Sequence, residues 1–272
     1  MSDPLSLIAI GAAVGGTAGK FAEMAWSSAE KWLTERFGSH AKEAQTQARL
    51  NAADFVRELA GQLGNLEAQR RIEQQRIDST SRHPQFSALL QRSLLNAAET
   101  DEAGKHALLA ELVSARLLVD ADTTLALAST LASDAIARST KRQIKLMALC
   151  SFLFEVRPHR TTPLSDYRRW LQVWLRPFED FEFKEIDARH LVAIACASYD
   201  PTKDRGLQTW LGIKLGPDFI GESFDDLPEV EALQYNWTEG LSGVALTSVG
   251  SIVGALALDQ LVGTDTGLPT WD

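Results

Sequence analysis

Arginines and aromatic residues alternate in one segment of this 272-residue sequence, and the two types together could recognise an anion. The candidate anion-binding residues are Arg157, Arg160, Arg168 and Arg169. Guanidinium groups bind phosphate oxygens, and aromatic rings stack on nucleic-acid bases. Tyr167, Trp170 and Trp174 also keep helical spacing, which is typical of a helix packed in a core. The segment therefore predicts either an anion-binding site or a core helix, and core packing is favoured.

Patterns that would indicate catalysis are weak in this sequence. None of the five histidines lies in an HExxH motif, and no Cys/His spacing suits zinc. Residues 15–20 resemble a phosphate loop but lack the GxxxxGK[ST] spacing. His106 and Glu102 are one helical turn apart, which predicts an ordinary surface pair. We therefore predict no catalytic residue, metal, cofactor or small-molecule substrate. An enzyme of another type would need polar groups that converge around His106 or His159.

The net charge of −9 is distributed unevenly along the chain. Residues 138–176 contain nine basic and two acidic side chains, whereas residues 177–272 contain five basic and 17 acidic ones. Opposite charges attract, so the two segments are expected to neutralise each other in the fold. The alternative is that the basic segment binds an anionic partner, which includes nucleic acid.

Glycines recur every four residues near the start of the chain, at Gly11, Gly15 and Gly19. This spacing places them on one face of a helix, where missing side chains let another helix approach closely. The uncharged stretch 4–19 would form a helix of roughly 24 Å, shorter than a hydrocarbon core of about 30 Å. The pattern predicts close packing inside the fold or in a homo-oligomer. The alternatives are insertion into a membrane after a trigger and adsorption to its surface.

Helix signals dominate the rest of the sequence and predict an all-α, multi-helix bundle with a long N-terminal helix. That helix is expected over 4–37, and a polar helix over 40–78 would form a solvated arm or a coiled-coil-like segment. A bend is expected at Gly61 and Gly64. Further helices are predicted over 84–98, 101–119, 122–137 and 144–156. Thr140 and Gln143 form a capping-box pair before the last of these, which is apolar on nearly every side and should be the buried centre.

The C-terminal third ends in a small helix–strand–helix element that resembles half of a winged helix. Helices are predicted over 162–177, 184–198, 207–215 and 228–240, followed by a strand at 244–246 and a helix to 262. A winged helix suggests nucleic-acid binding, but the acidic charge of this region would repel phosphates. The element is therefore expected to serve packing or protein interaction.

Several segments resemble a family of uncharacterised bacterial proteins distantly related to the abortive-infection alpha (Abi-alpha) proteins. The resemblance covers about two thirds of the chain, at residues 83–94, 105–117 and 127–152, and at a leucine-threonine-x-x-glycine element in 245–250. It implies a helical fold and a role in abortive infection, that is, in phage defence. It brings no catalytic residues.

These patterns together predict a non-enzymatic helical interaction protein that oligomerises and acts as an anti-phage factor. Three regions are expected: long N-terminal helices at 1–80, a central bundle at 81–160 and a C-terminal region at 161–272. We expect a cytoplasmic location, peripheral at the inner membrane if the helix over 4–37 associates with lipid. The expected partners are further copies of the chain, a membrane surface or another protein. Nucleic-acid binding or regulation through 138–176 is the alternative.

Overall fold

The computed structural model describes residues 16–72, 74–159, 162–203, 206–216 and 219–264. Within these residues the chain forms twelve α-helices and two three-residue strands, which confirms the all-α prediction. It folds as two compact units that divide between Arg138 and Ser139. The three regions predicted at 1–80, 81–160 and 161–272 stay a prediction.

Unit 1 is a bundle built around its second helix. Its helices are α1 (Gly16–Phe37), α2 (Lys42–Ala68), α3 (Gln74–Ser81), α4 (Pro84–Ala98), α5 (Ala103–Leu118) and α6 (Thr124–Arg138). Helix α2 packs against α1, α4 and α5. Its apolar positions, with Phe55, Val56, Leu59 and Leu63 fully buried, face those three neighbours. Helix α2 is therefore an amphipathic helix of the bundle with one face buried, and the expected solvated arm or coiled-coil-like segment was wrong.

The helix predicted over 40–78 is interrupted after Ala68. Arg70 adopts a left-handed conformation with φ 55°, and Arg71 N donates to Leu66 O at 2.9 Å, which ends the helix. A non-glycine residue rarely takes this conformation, so the sequence pattern gave no signal for it. Gly61 and Gly64, where a bend was expected, lie inside the uninterrupted α2.

Unit 2 contains α7 (Lys141–Phe154), α8 (Leu164–Leu175), α9 (Glu185–Ala193), α10 (Leu207–Leu215), α11 (Pro228–Thr238) and α12 (Ser248–Val262). The capping box before α7 is confirmed, since Thr140 N donates to Gln143 Oε1 at 2.9 Å and Gln143 N donates to Thr140 Oγ1 at 3.3 Å. Helix α7 packs mainly against α12. A Cβ atom at Gly254 would lie 2.6 Å from Met147 O, so this glycine lets the two helices meet.

Two short strands form a small antiparallel sheet in unit 2. Strand β2 (Val244–Leu246) lies where it was predicted, and it pairs with β1 (Ala197–Tyr199). The helix predicted over 184–198 was wrong at its end, because α9 stops at Ala193 and Ala195 has φ 59°. Cys196 N then donates to Leu191 O, and the chain turns into β1. The closing order of helix, turn, strand and helix matches the predicted element.

Candidate functional sites

The small-residue face of the opening helix is covered inside unit 1. Gly11 and Gly15 lie outside the described residues. Gly19 is buried, and Ala18, Ala22, Ala25 and Ala29 on the same helix are at most 1% exposed. Helix α1 packs chiefly against α2, so close helix contact is present within the chain. A role for these glycines in oligomerisation stays a prediction. No helix among the described residues has the length and apolar character needed to cross a bilayer.

Helix α6 exposes two of its leucines to solvent. Within this helix, which the structure describes in full, only Leu127, Leu131 and Arg138 are exposed. Leu127 is 61% exposed and Leu131 is 58% exposed, one turn apart. The inward positions hold Leu125 and Ile136 near the two ends of the helix and small side chains between them: Ala126, Ala128, Ser129, Ala132, Ser133 and Ala135. These small side chains let α6 approach α4 and α5, which turns the two leucines outward. We call Leu127 and Leu131 the α6 leucine face.

An ion pair borders the α6 leucine face one turn beyond Leu131. Arg92 Nε and Nη2 donate to the two carboxylate oxygens of Asp134 at 2.5 and 2.6 Å. Asn96 Nδ2 donates to Asp134 Oδ1 at 3.1 Å. Burial acts to raise the pKa of Asp134, but the hydrogen bonds from Arg92 and Asn96 lower it below the usual value. An ordered polar group thus lies beside the two leucines. Polar residues around an apolar centre are typical of protein interfaces.

Three cations of the basic segment are neutralised by acids from the segment that follows. Arg142 Nε lies 2.5 Å from Asp187 Oδ2, and the Asp187 side chain is 5% exposed. Lys145 Nζ lies 2.5 Å from Asp180 Oδ1. Arg168 Nη1 lies 2.6 Å from Asp226 Oδ1. These pairs support the explanation that the basic and acidic segments neutralise each other.

The four arginines of the predicted anion site have different surroundings. Arg160 lies outside the described residues, and Arg157 and Arg169 are exposed. Arg168 is occupied, because Nη2 also donates to Ser223 O at 2.8 Å and its guanidinium lies 5.6 Å from the Phe224 ring. Other groups of the protein therefore hold Arg168 in place. Anion binding by the set stays a prediction.

The aromatic residues of α8 pack in the core of unit 2, as the helical spacing favoured. The Phe152 ring lies 5.1 Å from Trp170 and 5.6 Å from Trp174, and Tyr167 is fully buried. Tyr167 Oη donates to Leu211 O at 2.9 Å. Burial raises the pKa of the Tyr167 hydroxyl well above its usual value.

Lys214 is buried beside these rings, and the sequence analysis missed it. Its Nζ donates to Phe152 O at 2.5 Å, to Leu153 O at 3.3 Å and to Val156 O, all at the carboxyl end of α7. It lies 4.9 Å from the centre of the Phe152 ring. Burial and the nearby Arg157 lower the pKa of Lys214 to about 7, and Glu155 opposes that shift. The ammonium group therefore satisfies the terminal carbonyls of α7.

Other side chains that could do chemistry are held in structural bonds. Glu155 accepts from Ser151 at 2.8 Å and from Ser251. His106 is 2% exposed, and its Nε2 lies 2.9 Å from Thr100 O, so the surface pair expected with Glu102 was wrong. Glu102 lies 3.1 Å from Lys105 instead.

The two thiols are also poorly suited to chemistry. Burial raises the pKa of both thiols, that of Cys196 to about 11, so neither is a ready nucleophile. Among the described residues no group of three metal-ligating side chains converges.

A family model for an uncharacterised domain matches residues 19–224, more than half of the chain. The chain therefore belongs to this family. No curated protein and no solved structure matches it. The resemblance to the Abi-alpha proteins stays a prediction.

Proposed function

We propose that this chain is a helical interaction protein that works by contacting other proteins rather than by catalysis, and that its first partner is a second copy of itself. The α6 leucine face carries the proposal. A solvated helix face normally holds charged or polar residues, whereas the exposed face of α6 carries Leu127 and Leu131, at 61% and 58%. Single exposed leucines are common, but two of them one turn apart, on a helix whose other exposed residue is Arg138, form a patch.

A second copy is the partner that this patch fits best. In a twofold dimer the same surface of both copies forms the interface. Leu127 and Leu131 of one copy would therefore contact the same two leucines of the other, and no second binding surface is needed. Arg92 and Asp134 border the patch with one charge of each sign, so the borders of two copies are electrically compatible. The polar groups deeper in the chain support a role without catalysis, since Glu155, Lys214 and His106 are held by other protein groups.

Light scattering of the purified chain tests the proposal. We expect the wild type to have the mass of a dimer and Leu131→Lys to have that of a monomer, since a buried unpaired lysine opposes association. Ile186→Lys is the matched control, because Ile186 in α9 is 67% exposed and should leave the mass unchanged. A monomeric wild type, or a Leu131→Lys chain that keeps the dimer mass, would contradict the proposal.

Membrane association through residues 4–37 belongs to the same proposal as a second contact. In the described part of this segment α2 covers the small apolar face, and Met24, at 46%, is the large apolar side chain most exposed. We therefore propose that the part of the segment 4–37 that precedes Gly16 supplies the lipid contact. Flotation with liposomes should carry the full chain upward and leave a chain without residues 1–20 behind. Equal flotation of the two chains would contradict membrane association through this segment.

Phage defence is the cellular role that we propose on the resemblance to Abi-alpha. A bacterial strain that produces the protein should show fewer plaques than a strain that produces Leu131→Lys at the same level. Equal plaque numbers would show that defence does not require the α6 leucine face.

Nucleic-acid binding through 138–176 remains the alternative function. The ion pairs of Arg142, Lys145 and Arg168 reduce the free positive charge of that segment. A gel shift at two salt concentrations decides between the two, because phosphate contacts weaken steeply with salt. We expect no salt-sensitive shift.

A further inference from the structure

A cavity of about 190 Å³ lies in unit 1, between the end of α3, the residue before α4 and the end of α5. Arg76, Thr80, His83, Arg116 and Asp120 are among the residues that line it. One water molecule occupies roughly 30 Å³ of liquid, so the cavity has room for a small polyatomic ligand. No motif in the sequence indicated a binding role for these residues.

Arg116 is a buried cation in this cavity wall whose hydrogen bonds are incomplete. The residue is 2% exposed, and its Nη1 donates to Val119 O at 3.1 Å. Its Nη2 is buried and has no acceptor among the described residues. Burial lowers the pKa of Arg116, and the neighbouring Arg76 lowers it further, whereas Asp120 acts in the opposite direction. A buried guanidinium with an unused donor is costly unless a partner completes it.

The protein supplies too little negative charge around Arg116. Arg76 Nη2 lies 2.9 Å from Asp120 Oδ1, and Arg76 Nε donates to Leu117 O at 3.1 Å. The Asp120 side chain is 74% exposed, which weakens its effect on the buried Arg116. The lining thus carries two guanidinium charges against one solvated carboxylate, and an anion would balance the difference.

Neutral donors are available at the same cavity. His83 Nδ1 accepts from Gln85 N at 3.3 Å, so the neutral ring carries its proton on Nε2. Thr80 adds a hydroxyl group. The 15-residue helix α4 begins directly after His83, and the positive end of its dipole favours an anion near its first turn.

We propose that this cavity binds a phosphate group, held by the guanidinium groups of Arg116 and Arg76 with Thr80 and His83 as neutral donors. A phosphate has enough oxygens to accept from both guanidinium groups at once, whereas a carboxylate has two. The same oxygens occur in inorganic phosphate and in the phosphate monoester of a small metabolite. The site is independent of the α6 leucine face.

Titration calorimetry of the full chain with inorganic phosphate at low salt tests the site. The wild type should bind with a dissociation constant of about 1 mM or lower. Arg116→Met keeps the side-chain bulk and should weaken binding at least tenfold, which is the loss of about one charge-assisted hydrogen bond. Arg168→Met is the control and should bind as the wild type does, since Arg168 is paired with Asp226 in unit 2. No binding by the wild type, or equal binding by Arg116→Met, would overturn the site.

Asp120→Asn gives a test of opposite sign and does not depend on how Arg116→Met folds. Removing a carboxylate from the cavity should tighten phosphate binding about fivefold, and a weaker affinity would overturn the proposal. Adenosine monophosphate and acetate serve as the comparison ligands. Tighter binding of the nucleotide than of phosphate identifies a phosphorylated metabolite, and weaker binding identifies free phosphate. Acetate that binds as tightly as phosphate would overturn the assignment.

Discussion

Arg116 in unit 1 and Lys214 in unit 2 are both buried cations at the carboxyl end of a helix. Lys214 directs its ammonium group to three carbonyl oxygens of α7 and lies against the Phe152 ring. Arg116 makes one hydrogen bond, to Val119 O, and its Nη2 lacks an acceptor among the described residues. A cavity adjoins Arg116, whereas aromatic side chains pack against Lys214.

The difference between the two cations separates a structural role from a binding role. Where every donor of a buried cation has a protein acceptor, the charge closes a helix end and leaves nothing for a ligand. Where a donor is left over beside an open volume, the missing acceptor is best supplied from outside. The two residues should therefore respond differently when a substitution removes their charge.

The largest effect is expected at Lys214. Lys214→Met keeps the length of the side chain but leaves Phe152 O and Val156 O without this donor, while Leu153 O keeps its bond from Trp210 Nε1 at 3.0 Å. The free energy of unfolding should fall by about 2–4 kcal/mol. Chemical denaturation followed by tryptophan fluorescence measures this, since Trp170 and Trp174 lie in the same cluster. A loss below about 1 kcal/mol would show that Lys214 contributes little to stability and would contradict its structural role.

The stability lost in Lys214→Met should depend on pH. The pKa of Lys214 is about 7 in the folded chain and 10.5 for an ordinary lysine, so the unfolded state binds more protons between these values. Stability contributed by Lys214 therefore rises with pH across that range, by at most about 1.4 kcal/mol per pH unit, and is constant below it. The difference between wild type and Lys214→Met should be larger at pH 9.5 than at pH 6.5. An equal difference at both would contradict the shift.

A much smaller effect, or a gain in stability, is expected at Arg116. Arg116→Met removes a buried charge that lacks a full set of partners, at the loss of one hydrogen bond to Val119 O. Replacing such a charge by an apolar side chain is often neutral or stabilising, so the free energy of unfolding should stay within about 1 kcal/mol of wild type or increase. The same denaturation experiment, without phosphate, measures it. A loss as large as that of Lys214→Met would show that Arg116 is structural too.

The helical fold and the local structural features could be predicted from the sequence. The positions of side chains that depend on long-range packing could not. The Thr140–Gln143 capping box, the strand at 244–246 and the neutralisation of the basic segment follow from residue types close together or from total charge. The outward Leu131 could not be predicted, because an alanine-rich helix offers apolar residues on both sides. Arg116 was hidden for a related reason. It lines a cavity together with residues of α3, and the helix break before α3 contains no glycine or proline from which it could be predicted.

Hydrogen exchange with and without inorganic phosphate tests the contrast between the two buried cations most directly. We predict that phosphate slows amide exchange at residues 76–83 and 116–121, which line the cavity, and leaves residues 141–156 around Lys214 unchanged. Arg116→Met should lose this protection. Exchange that phosphate leaves unchanged at 76–83 and 116–121, or slows equally in both units, would contradict the account.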